Sequence, residues 1–128
     1  MARAVVPDDT VEIVRQLISW CDEDAADIVL TTGGTGLSPR DHTPEATRAA
    51  IEREAPALTE RMRALQLERF PRSALTRATA GIRSRTLIIN LPGSPGGVRD
   101  SLAALDPIVM HAVDIVRGTL TDHSAAQP

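Results

Sequence analysis

Two glycine-rich stretches follow apolar runs and could bind an anionic ligand. The first, "TTGGTGLSPRD" at residues 31–41, follows the run Ile28–Leu30, and the second, "NLPGSPGG", begins at residue 90 near the end of another apolar run. Glycines let backbone N–H groups approach a ligand closely, and the N-terminus of a following helix favours negative charge. Plain turns also use such residues, so the two interpretations stay open, although two similar loops favour a site.

Two aspartates near these loops could serve a metal ion. Asp8 lies in "PDD" at residues 7–9, and Asp41 closes the first loop. A bare carboxylate repels phosphate, but it becomes useful when Mg²⁺ is shared between one or two carboxylates and substrate phosphates. The alternative is that Asp41 accepts hydrogen bonds from loop amides and that Asp8 or Asp9 caps a helix.

Composition limits the class of protein. The 128 residues, 42% of them hydrophobic, are enough for one domain with an ordinary core, and the single cysteine excludes an internal disulfide. No apolar run is long enough to cross a bilayer and no signal peptide is visible, so we expect a cytoplasmic protein without a membrane partner. A net charge of −3, one Trp, one Phe and no Tyr argue against a nucleic-acid partner.

All fourteen basic residues are arginines, so the lysine of a P-loop is missing. Seven of these arginines fall between Arg61 and Arg85. They could attract a polyphosphate to the site by their long-range field. Alternatively, they could form a solvated helix face or salt bridges.

The elements that must position these residues alternate between helical and extended. Ile13, Leu17, Trp20 and Cys21 share one face of a helix predicted over residues 9–22. "ADIVLTT", at residues 26–32, is apolar without alternation, as in a fully buried parallel strand. Next we predict a helix over about 44–53 capped by Thr43, and a helix from Pro56 that stops before Pro71. Strands follow within 75–83 and 86–91, joined by a turn near 83–85. A helix capped by Ser94, with Pro95 at its first position, and a last helix from Pro107 complete the order. Inward-facing residues of the later helices include Leu58, Met62 and Leu65, then Val98, Leu102 and Leu105, then Ile108, Val109, Ala112, Val113 and Val116.

This order predicts an α/β fold with three layers, a mostly parallel sheet and helices on both faces. We expect one domain over residues 1–118 and a loose tail over 119–128. Both glycine-rich loops follow the carboxyl end of a predicted strand, and ligands of open α/β sheets bind at that edge. The two loops should therefore lie close together.

Several segments in order resemble the Mog and MoaB proteins of molybdenum-cofactor biosynthesis. These are "PDD", "TTGGTGLSPRDHTPEAT", "ATAGIRSRTLIINLPGSP" and "LPGSPGGVRDSL", and the similarity runs from about Val5 to Gly118. The continuation "PRDHTPEAT" separates this family from its MoeA-type and CinA-type relatives. The resemblance implies a molybdopterin-binding α/β domain.

The resemblance also implies a reaction. The terminal phosphate of molybdopterin attacks the α-phosphorus of ATP, with Mg²⁺ bound, to give adenylylated molybdopterin and pyrophosphate. Asp8 and Asp41 correspond to the family's essential acids, as metal ligands or substrate-orienting groups. The residues that correspond to its binding loops are Thr32, Gly33, Gly34, Thr35 and Gly36 in the first and Pro92, Gly93 and Ser94 in the second, where the serine lies near the pterin's phosphate.

Other functions remain open within this resemblance. The chain could be a MoaB-like protein that binds molybdopterin or its nucleotide without turnover, or a structural fragment that folds only in an oligomer. Family members form trimers or hexamers, so we expect a homo-oligomer. The family also carries a strand and loop ahead of "RAVVPDD", roughly 30 residues that this sequence lacks. We therefore expect a truncated start, the alternative being a rearranged or partner-completed sheet, and the loss of that strand would expose an edge of the strand at 27–32.

Overall fold

The computed structural model describes residues 1–119, which form helices and strands in alternation. The elements are α1 (Thr10–Asp22), β1 (Ile28–Thr32), α2 (Thr43–Ala50), β2 (Arg53–Glu54), α3 (Pro56–Leu67), a 3₁₀ turn (Pro71–Leu75), β3 (Ala80–Arg83), β4 (Thr86–Leu91), α4 (Pro95–Leu105) and α5 (Val109–Arg117). The predicted tail at 119–128 lies outside the described residues except for Thr119. None of the helices described has the length and apolar character that a membrane span requires.

The sheet has the strand order β1-β4-β3-β2, and its directions are mixed. Only β1 and β4 are parallel, whereas β4 pairs with β3 and β3 with β2 in antiparallel fashion. The prediction of a mostly parallel sheet was wrong in this respect, although the α/β fold is confirmed. The reason is the short turn at Ser84 and Arg85 between β3 and β4, because a parallel connection needs a crossover of about a dozen residues or more.

Strand β4 lies in the centre of the core, and all six of its residues are buried. Leu87, Ile89 and Leu91 pack on one face of the sheet, whereas Ile88 packs on the other. The first face is covered by α3, α4 and α5 through Met62, Ala104, Leu105 and Val113. The second is covered by α1 and α2 through Ile13, Leu17, Cys21, Ala46 and Ala50. The predicted three layers are confirmed.

Strand β1 is not buried throughout, contrary to the prediction. Val29 is 4% exposed but Leu30 is 39% exposed. The physical reason is its position at the end of the sheet. Within residues 1–119, β1 pairs only with β4, and its residues Val29–Thr32 line an open cavity on the other side.

Several helix boundaries and faces differ from the predictions. Helix α2 ends at Ala50 because the chain then turns into the sheet, where the Glu52 N–H donates to the Ile82 carbonyl. Helices α3 and α4 each bury a narrower face than their apolar pattern indicates. Leu65 and Leu102, which were predicted to face inward, are 55% and 43% exposed.

Candidate functional site

The two glycine-rich loops contact each other directly. Because Thr32 is paired with Leu91 in parallel register, β1 and β4 end side by side and both loops leave the same edge of the sheet. The Gly33 N–H donates to the Leu91 carbonyl at 3.1 Å. A Cβ added to Gly93 would lie 3.3 Å from the Gly33 Cα, so a side chain at Gly93 would press on the first loop. The expected proximity of the two loops is confirmed.

The first loop folds back over the start of α2. Gly34 has a φ of +70°, and its carbonyl accepts a hydrogen bond from the Thr43 N–H at 3.2 Å. An added Cβ at Gly34 would overlap the Thr43 hydroxyl. Thr43 is therefore not the N-cap that the sequence predicted. His42 occupies that position and makes no capping hydrogen bond with its side chain.

The carboxylate of Asp41 is hydrogen-bonded within its own loop. Oδ2 accepts a hydrogen bond from the Ser38 N–H at 3.0 Å, and the Asp41 N–H donates to the Ser38 carbonyl at 2.9 Å. The structure thus shows the loop contact that the sequence left open as an alternative to a metal ligand. The other oxygen, Oδ1, accepts no hydrogen bond from any residue between 1 and 119.

Asp8 is free of the capping role that the sequence allowed it. Asp9 caps α1 instead, since its Oδ1 accepts from the Val11 N–H at 3.1 Å. Asp8 is exposed and lines a cavity of about 450 Å³ together with Thr32, Gly33 and Gly34. Trp20 and the segment 2–7 form other parts of its wall.

The described acids make no metal centre by themselves. Among residues 1–119, no three His, Cys, Asp or Glu side chains are grouped so that they could hold a metal ion. Asp41 is not one of the residues that line the cavity beside Asp8. A metal ion here would depend on one or two carboxylates and on oxygens supplied by a ligand.

Ser94 begins α4 as predicted. Its Oγ accepts a hydrogen bond from the Gly97 N–H at 3.1 Å, and Pro95 occupies the first helical position. The hydroxyl proton of Ser94 therefore remains available for a ligand. Ser94 and Gly97 line a second, mainly apolar cavity of about 330 Å³. Other residues in its wall are Met62, Phe70, Ala78 and Pro92.

Arg77 holds the first loop, and sequence reasoning did not single it out. Its Nε donates to the Gly36 carbonyl at 2.7 Å and its Nη2 to the Asp41 carbonyl at 2.9 Å. Its Nη1 also lies 2.6 Å from Oε2 of Glu45. This hydrogen bond holds the pKa of the Glu45 carboxyl below its ordinary value. No local pattern marks Arg77 among its neighbouring arginines.

Asn90 braces the sheet beneath both loops and was also missed. Its Nδ2 donates to the hydroxyls of Thr31 and Thr47, each at 2.9 Å, and its Oδ1 accepts from the Thr79 N–H at 3.0 Å. This fully buried side chain joins β1, α2 and the segment before β3. The sequence signal that could have identified Asn90 is its polar side chain within the apolar run "TLIINL".

Comparison with known proteins agrees with this geometry. A family described as "Probable molybdopterin binding domain" matches residues 1–111. A molybdopterin adenylyltransferase from Helicobacter pylori is 44% identical over 114 residues, which are 89% of this chain. The crystal structure of the molybdopterin biosynthesis enzyme MoaB from Thermus thermophilus is 52% identical and superposes with a TM-score of 0.83, covering 88% of this chain and 71% of that one.

A second solved structure extends the similarity. The Mog protein from Mycobacterium ulcerans is 43% identical with a TM-score of 0.77, covering 81% of this chain and 68% of that chain. This chain spans 65% of the length of the Helicobacter pylori relative. The family match extends over most of the sequence and includes both loops and their strands. The chain belongs to the molybdopterin-binding domain family of molybdenum-cofactor biosynthesis proteins.

Proposed function

We propose that this chain catalyses the adenylylation of molybdopterin by Mg-ATP in the cytoplasm, with release of pyrophosphate. The observation that carries the proposal is the direct contact of Gly33 with Gly93, which places two glycine-rich loops at one edge of the sheet. A site for two phosphate-bearing substrates needs such a juxtaposition. The proposed substrates follow from the name of a relative with 44% sequence identity, a molybdopterin adenylyltransferase.

The reaction requires positioning more than covalent help from the protein. A terminal phosphate oxygen of molybdopterin forms a bond to the α-phosphorus of ATP while the bond from that phosphorus to the bridging oxygen breaks, and pyrophosphate leaves. Backbone N–H groups of Gly34, Thr35 and Gly36 would donate to the phosphates of ATP. The Ser94 hydroxyl, at the N-terminus of α4, would donate to the phosphate of molybdopterin. The apolar cavity beside Ser94 would receive the flat ring system.

Two aspartates are the proposed ligands of a magnesium ion. Mg²⁺ is usually held by one or two carboxylates together with substrate phosphates, and it neutralises charge on the transferred group. The exposed carboxylate of Asp8 and the unengaged Oδ1 of Asp41 are the oxygens that would hold it.

The test measures pyrophosphate released by the full chain supplied with molybdopterin and Mg-ATP. We expect turnover by the native sequence and none by Asp41→Asn, with molybdopterin binding largely retained, because the amide cannot carry the charge that the metal requires. Asp106→Asn, an exposed acid at the end of α4, is the matched control and should behave as the native chain. Turnover of Asp41→Asn at the native rate would refute the metal role.

A second candidate function is binding of molybdopterin without turnover. The observation in its favour is the hydrogen bond that already occupies Oδ2 of Asp41. Tight binding of molybdopterin with no pyrophosphate released under any Mg-ATP concentration would favour this alternative.

We also propose that the protein self-associates, as a trimer or hexamer. Four large apolar side chains are exposed on α3 and the turn after it, namely Leu65, Leu67, Phe70 and Leu75. Analytical ultracentrifugation gives the oligomeric mass directly, and a monomer at all concentrations would contradict the proposal.

A further inference from the structure

We propose that Arg77 is a positioning residue, which fixes the loop 33–41 in the shape that receives phosphate. Its consequence for turnover rests on the proposed function, whereas its effect on the loop does not. Arg77 lies just before β3 and contacts the loop through both its backbone and its side chain.

Three carbonyls of the loop are held by this one residue. The Arg77 N–H donates to the Thr35 carbonyl at 2.7 Å, and the guanidinium donates to the carbonyls of Gly36 and Asp41. The rigid fork of a guanidinium fixes the directions of its hydrogen bonds. Gly36 and Asp41 are therefore set relative to each other by a single planar group.

The direction of these carbonyls determines the direction of the next N–H groups. In a trans peptide the N–H points opposite to the preceding C=O, so the N–H groups of Gly36, Leu37 and His42 point away from Arg77. None of the three donates a hydrogen bond to another residue within 1–119. Arg77 thus presents unengaged donors on the opposite side of the loop, which is what an anion requires.

Arg77 does not act as a phosphate ligand itself, because its charge is already paired. Glu45 accepts from Nη1 at 2.6 Å and from Nη2 at 3.1 Å, and Nε is engaged by Gly36. Glu45 lies in the first turn of α2, so the ion pair also ties the guanidinium to the helix that follows the loop.

The chain offers a matched control in Arg83. Arg83 makes the same kinds of contact, with two hydrogen bonds to Asp22 at 3.0 and 3.1 Å and one to the Ala50 carbonyl at 2.9 Å. It lies at the other end of β3, away from both glycine-rich loops. Loss of either arginine should therefore lower overall stability to a similar degree, but only Arg77 should affect the loop.

The experiment compares Arg77→Met, Arg77→Lys and Arg83→Met in the full chain by two measurements. The first is amide hydrogen exchange at Ser38, Asp41 and Thr43, whose N–H groups are bonded within the loop. The second determines kcat and the KM for Mg-ATP separately. We expect exchange at these amides to become about tenfold faster, and kcat/KM to fall about 10- to 100-fold, only in the Arg77 variants.

Lysine should not restore the loop, because an ammonium group lacks the planar fork. The proposal is overturned if Arg77→Met matches Arg83→Met in exchange at all three amides. It is also overturned if lysine restores native exchange, since charge alone would then suffice. If the native chain shows no turnover, the proposed function fails while the exchange measurement still decides the role of Arg77.

Discussion

At the scale of single residues, the positions that organise the site are polar groups satisfied by distant partners. Asn90 and Arg77 each contact segments more than 30 residues away in the chain. The partners of such contacts are not visible in the local sequence: the run "TLIINL" marks Asn90 as unusual but does not indicate Thr31 or Thr47, and nothing local marks Arg77. Ser94 was predicted correctly because a helix cap depends on residues only three positions apart.

The network around Asn90 leads to a stability prediction. Asn90→Leu should lower the free energy of unfolding by about 3 kcal/mol, because it leaves the buried Thr79 N–H and Thr47 hydroxyl without this partner and also removes the bond to the half-buried Thr31. Urea unfolding measures the change. Ile89→Val, the adjacent buried position, is the control and should cost only about 1 kcal/mol. Equal losses in the two variants would contradict the bracing role.

The ion pair of Glu45 with Arg77 makes the loop sensitive to acid. The folded chain holds the pKa of Glu45 below its ordinary value, because Arg77 donates to the carboxylate. The stabilisation is therefore present above the pKa of the unfolded chain and is lost as pH falls through the lower, folded pKa.

We expect exchange at Ser38 and Asp41, corrected for intrinsic rates, to accelerate as the pH falls below the ordinary pKa of a glutamate. Glu45→Gln should exchange rapidly at every pH and show no such transition. Arg48→Met, which removes only an exposed partner of Glu45 at 3.4 Å, should keep the native pH profile. An unchanged profile in Glu45→Gln would refute this account.

At the scale of elements, the turn after β1 depends on a backbone that only glycine adopts easily. Gly34→Ala should destabilise the protein by about 1–3 kcal/mol, since alanine is strained at positive φ and its methyl group would overlap the Thr43 side chain. Gly96→Ala is the matched control, because the nearest atom to an added Cβ is 4.0 Å away. Thermal unfolding distinguishes the two, and equal melting temperatures would show that the loop tolerates the strain.

The direction of the strands shows what sequence patterns could and could not determine. Runs of apolar residues located β1 and β4 well, although only β4 is buried throughout. Apolar content carries no information about direction, which depends on the length of the connection. The short turn at Ser84 and Arg85 contained that information and indicated an antiparallel pair.

At the scale of the whole molecule, the outer edge of β1 is the feature that composition did not indicate. Within residues 1–119 this strand has a partner on one side only, and Leu30 is partly exposed beside it. Unpaired strand edges promote association with other chains.

We therefore expect Leu30→Lys to weaken concentration-dependent association, because a charge at an edge strand opposes pairing. Sedimentation velocity over a range of protein concentrations measures the effect. Leu102→Lys places the same charge on an exposed position of α4 and should leave association unchanged. The same reduction in both variants would assign the effect to net charge and not to β1.

The wall of the cavity beside Asp8 contains an intrinsic fluorophore. Trp20 lies in its wall, and the chain has no other tryptophan and no tyrosine. The ultraviolet emission of the protein therefore comes from a single indole in the cavity that Gly33 and Gly34 also line. A ligand that enters this cavity will shift or quench that emission without any added label. A ligand confined to the cavity beside Ser94 will leave the emission unchanged. A fluorescence titration therefore shows which of the two cavities the ligand occupies.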